Sequence, residues 1–136
     1  MATVTAIRDA LASAVGTISG LRTSSYVPDN PNPPQAIIEP QNINYDSTFG
    51  RGMDEFNYII TVLVQRTTSE RVGQSLLDEF IGSSGAKSVK RAVELDRTLG
   101  GLVQDCRVSG MNSYGSVPIG DNTYLAAEFA VKVYSN

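Results

Sequence analysis

Glu55-Phe56-Asn57-Tyr58-Ile59-Ile60-Thr61-Val62-Leu63-Val64-Gln65-Arg66 is the stretch that decides the fold. Phe56, Tyr58, Ile60, Val62 and Val64 alternate with Asn57, Ile59, Thr61, Leu63 and Gln65, the period of a β-strand. One face is wholly apolar and the other only half so. That difference predicts a sheet covered by helices on one side and partly shielded on the other, for instance by a neighbouring subunit.

Downstream, Thr67-Thr68-Ser69-Glu70 has capping-box spacing and predicts a helix running to about Ile81. Its apolar stripe is Val72, Leu76, Leu77, Phe80 and Ile81, and Gly82 closes it. A shorter helix is expected over about 87–95, with Val89, Ala92 and Val93 inward and Lys87, Lys90, Arg91 and Glu94 outward. Leu99-Gly100-Gly101 reads as a turn, and Leu102–Ser109 as a strand. Met111–Asp121 contains Gly115, Pro118 and Gly120 and reads as a long hairpin connection. The last strand, Tyr124–Tyr134, sends Leu125, Ala127, Phe129, Val131 and Val133 to one side.

Upstream, Val4, Ile7, Leu11, Ala14, Val15 and Ile18 form one stripe at helical period, with Thr3 or Thr5 as cap and Gly16 and Gly20 marking the end. Four prolines between Ser24 and Pro34 make that run an extended connector. Ala36–Glu39 reads as a short strand that Pro40 either ends or places at a sheet edge. The polar run 41–54 reads as a loop with Gly50-Arg51-Gly52 at its tip. The expected fold class is α+β, in the order α-β-β-α-α-β-β, with helices packed on one face of a mainly antiparallel sheet. The rows at Phe56–Val64 and Leu125–Val133 would lie at its centre.

The length of 136 residues suits one domain over 1–136. Net charge is −3 without a basic run, which argues against a nucleic-acid-binding module. No apolar stretch reaches the ~18 residues of a transmembrane helix. The first nine residues lack the basic and apolar regions of a secretory leader, so synthesis and folding in a reducing cytoplasm are expected. The single cysteine, Cys106, permits no internal disulfide and sits at an inward strand position.

Histidine is absent, which removes Ser–His and Cys–His nucleophile pairs and the commonest metal ligand. Asp78 and Glu79 are adjacent on one helix and cannot face each other. Gly50-Arg51-Gly52 lacks the Lys-Ser/Thr of a phosphate loop. No catalytic, cofactor-binding or metal-binding residues are therefore expected, and no cofactor. Tyr26, Tyr45 and Tyr114 fall in connectors, where they either anchor a protein interface or pack on the domain's own loops.

Two passages carry a resemblance. One is Ser83-Ser84-Gly85-Ala86-Lys87-Ser88-Val89-Lys90-Arg91-Ala92-Val93-Glu94-Leu95, continuing through Leu99-Gly100-Gly101-Leu102-Val103-Gln104-Asp105. The other is Tyr124-Leu125-Ala126-Ala127-Glu128-Phe129-Ala130-Val131-Lys132-Val133-Tyr134. Together they resemble the tail terminator and neck proteins of long-tailed bacteriophages, particularly those infecting actinobacteria. The resemblance implies a structural virion protein, assembled in the host cytoplasm. It would form a hexameric ring of identical copies that caps the head-proximal end of the tail tube. Its partners would be the major tail tube protein and the head–tail connector, and genomic DNA would pass through without sequence-specific binding. A head–tail connector or head-completion role is the alternative. A small-ligand or enzymatic α+β domain is a more distant one. On the ring reading, Gly50, Arg51, Gly52 and Met53, with Tyr114 in the second connection, would contact adjacent rings or subunits, the rival role for these loops being solvent-exposed slack.

Overall fold

A computed structural model describes residues 3–18, 21–24, 35–45, 54–65, 77–82, 85, 88–119 and 122–135. The chain is an α+β protein with a five-stranded, mostly antiparallel sheet. In chain order the elements are α1 (Val4–Val15), β1 (Arg22–Ser24), β2 (Gln35–Asn44), β3 (Asp54–Gln65), a helical run α2 (77–81), α3 (Val89–Glu94), β4 (Asp105–Ile119) and β5 (Asn122–Ser135). In space the strands run β1-β2-β3-β5-β4, with only β1 and β2 parallel.

The two best alternating rows lie side by side in the sheet interior. Phe56 stands opposite Val133, Tyr58 opposite Val131, Ile60 opposite Phe129 and Val62 opposite Ala127. All of these are buried in one cluster with Ile7, Leu11 and Val15 of α1, Leu77 and Phe80 of α2, and Val89 and Val93 of α3. Burial of each such side chain contributes roughly 1.5–3 kcal/mol, so the inward rows dominate the stability of the domain. Thr3 caps α1, its hydroxyl accepting from the Ala6 amide at 3.1 Å. The Tyr58 hydroxyl donates to the Val4 carbonyl at 2.9 Å and ties that helix to the middle of β3.

The other face of the sheet has a buried apolar cluster at one end. Ile37, Leu63, Tyr124 and Ala126 form a second, smaller buried cluster there. Farther along that face Lys132 pairs with Glu55 at 3.6 Å.

Four expectations need correction. β1 was invisible because three residues, Arg22-Thr23-Ser24, are too few to show alternation. β2 does not stop at Pro40. It absorbs the proline with a bulge between Pro40 and Asn42 and continues to Asn44, so 41–44 are strand and not loop. The predicted strand at Leu102 begins at Asp105. Residues 111–119 are the second half of β4 and not a connection, because Gly115 and Pro118 are held in register against β5 as far as the Ile119–Asn122 pair. The capping box at Thr67–Glu70, the proline run 25–34 and the loop tip at Gly50–Gly52 lie outside the described residues.

Candidate assembly surface

β4 is the end strand of the sheet, and its outer flank is treated differently along its length. Near its start the flank is closed by charge. Glu94, the last residue of α3, accepts the Val108 amide at 3.0 Å, and Lys90 holds the same carboxylate at 2.6 Å. Arg97 forms a two-pronged pair with Asp105, both contacts at 2.9 Å. Burial pushes the Glu94 carboxyl up. The hydrogen bonds from Lys90 and the Val108 amide, with the charges of Lys90 and Arg97, outweigh it and hold the group below its ordinary value.

Two bulges follow, between Val108 and Gly110 and between Met111 and Ser113. Past them the flank carries Met111, 39% exposed, and Tyr114, 40% exposed. Tyr114 stands opposite Ala127, and its hydroxyl donates to Asp78 of α2 at 3.2 Å. Desolvation, then the Asp78 charge and this hydrogen bond, raise the Tyr114 phenol above its ordinary value. Its placement on a strand, and not in a connector, gives it a fixed direction.

A second apolar surface lies between the helices. Ala10, Ser13 and Ala14 of α1 and Ala92, Leu95 and Leu99 line a groove of about 350 Å³. Leu95 is 70% exposed at its rim. The turn that follows keeps this rim in place. Asp96 accepts from the Thr98 and Gly100 amides at 3.1 and 2.9 Å, and Leu99, Gly100 and Gly101 take positive φ values of 51°, 73° and 89°. Left-handed backbone suits glycine and strains leucine, so the partial burial of Leu99 against the core has to offset that cost.

The sequence-predicted residues are not brought together. Tyr114 is on the β4 flank, Tyr45 is exposed just past the end of β2, and Gly50, Arg51, Gly52, Met53 and Tyr26 lie outside the described residues. Leu95 and the groove were missed. The available signal was phase, since Leu95 is an apolar residue off the inward stripe of Val89, Ala92 and Val93. Cys106 is fully buried, and burial, reinforced by the Asp105 and Glu94 charges, pushes its thiol up to about 11, the opposite of an activated nucleophile. Among the described residues no cluster of three His, Cys, Asp or Glu side chains can hold a metal ion, and no helix is long and apolar enough to cross a membrane. The chain matches no protein-family model and no curated protein.

Proposed function

We propose that this chain is a structural protein of a long-tailed bacteriophage virion, a tail terminator. Copies of it form a ring, hexameric in the family it resembles, that caps the head-proximal end of the tail tube and offers a docking surface to the head–tail connector. The observation that carries this reading is the pair of separate exposed apolar surfaces, the groove rimmed by Leu95 and the β4 flank bearing Met111 and Tyr114. A closed ring needs a head-to-tail contact in which one patch meets a different patch on the next copy. Exposed Tyr and Met are favoured interface residues, and a lightly charged surface lowers the cost of desolvating such contacts. The net charge of −3 per copy gives a ring an overall negative sign, which suits a channel through which DNA passes.

The test mixes purified protein with isolated tail tubes and images them by negative stain. A cap at one tube end and halted growth are expected. In a phage lacking the protein, tails of uncontrolled length are expected. Normal tails beside unattached filled heads would place it at the neck instead, and absence from mature particles would remove it from the virion altogether.

A further inference from the structure

Leu95 is a large apolar side chain left 70% exposed at the end of α3, and it stands beside a hole. The groove that it rims has a volume of about 350 Å³. A cavity of about 150 Å³ takes a benzene-sized group, so the groove has room for a leucine side chain. Its walls at Ala10, Ala14 and Ala92 end at Cβ, which lets another surface come close. A patch that carries both a knob and a hole can be complementary to itself. Contact between two such patches about a two-fold axis seats each knob in the other copy's hole.

Charge around the rim fits the same arrangement. Arg91 is exposed one turn before Leu95, on the same side of the helix. After Leu95 the chain turns, and the Asp96 carboxylate is held beside residues 98–100. It accepts from the Thr98 amide at 3.1 Å and the Gly100 amide at 2.9 Å. Two α3 helices running antiparallel about Leu95 bring residue 91 of each opposite residue 99 of the other, so each Arg91 meets the other copy's Asp96. The other charged groups nearby are already matched within the chain. Lys90 pairs with Glu94 and Arg97 with Asp105, and both Arg8 and Asp9 of α1 are engaged in their own chain.

We infer that free copies of the chain pair through this face, α3 against α3 antiparallel about a two-fold axis at Leu95, with each Leu95 seated in the other copy's groove and each Arg91 against the other's Asp96. The strained turn at Leu99 serves this contact, because it fixes the carboxylate and one end of the groove before the second copy arrives. The proposed ring brings unlike patches together and draws on the same groove, so pairing and ring closure exclude each other at that surface. One patch of this size falls short of the ~1,200–2,000 Å² of a stable interface, so the dimer is reversible and concentration-dependent.

The test is sedimentation equilibrium of the full chain over a roughly hundredfold concentration range. A monomer–dimer equilibrium is expected for the natural sequence and for Tyr45→Ser, which removes an apolar side chain as exposed as Leu95 but away from the groove. Leu95→Asp should weaken the dimer by ~10-fold or more with an unchanged thermal melt, since the side chain lies at the surface. Arg91→Glu should weaken it by roughly threefold in dilute salt and by less at about 1 M salt, where charges are screened within ~3 Å. A monomer at all concentrations, or rings without a dimer, overturns the inference. So does a folded Leu95→Asp or Arg91→Glu protein that dimerises as well as the natural one in dilute salt, or a dimer that Tyr45→Ser abolishes. Failure to cap tails by a protein that still dimerises would count against the terminator reading alone.

Discussion

Tyr58 puts a hydroxyl into the middle of an apolar row, and its bond to the Val4 carbonyl is what makes that tolerable. Burial raises the phenol from 10.0 to about 12, so the neutral form is favoured in the folded state. The resulting linkage has one sign: stability is full below pH 10 and falls as pH rises through 10 toward 12, where the unfolded chain ionises first. Tyr58→Phe should lose about 1 kcal/mol at neutral pH, a fall in Tm of about 2–6 °C, and should show a shallower loss at alkaline pH. Thermal melts at pH 7 and pH 10.5 check both. At this scale the sequence was readable where period set direction. Phe56, Tyr58 and Cys106 are inward as their alternation required. Tyr114 was misplaced because glycine and proline nearby masked its strand.

Among the elements, α1, β3 and β5 were legible because each carries an unbroken apolar row at its own period. β4 was half legible, since Gly110, Gly115 and Pro118 are poor strand residues that an end strand tolerates when its partner supplies the register. The role of α3 was not legible at all. Its inward stripe was correct, yet the carboxylate at its end closes a strand flank, a contact fourteen residues away that no local pattern encodes. Because Glu94 is held below its ordinary value, its contribution is full above the usual carboxylate range and is lost as pH falls through the folded-state value. Glu94→Gln should therefore flatten the acid limb of a stability–pH curve measured by urea unfolding. An acid limb as steep as the natural protein's would contradict this linkage.

At the scale of the whole molecule, the layered α+β architecture followed from where the apolar rows fall, while the candidate surfaces did not. The exposed groove arises where α1 meets α3 and the following turn, and the exposure of Met111 and Tyr114 arises on β4, the last strand of the described sheet, both products of tertiary placement. The placement of β5 also governs when the molecule can form during its own synthesis. It is the latest strand in the chain and yet stands between β3 and β4, joining Asp54 to Ser135. A ribosome-bound chain that has reached only Ile119 holds both flanking strands with nothing to unite them. Cooperative folding therefore waits until 122–135 has cleared the exit tunnel, and an arrest-peptide force profile should show one late peak and none while those residues remain inside.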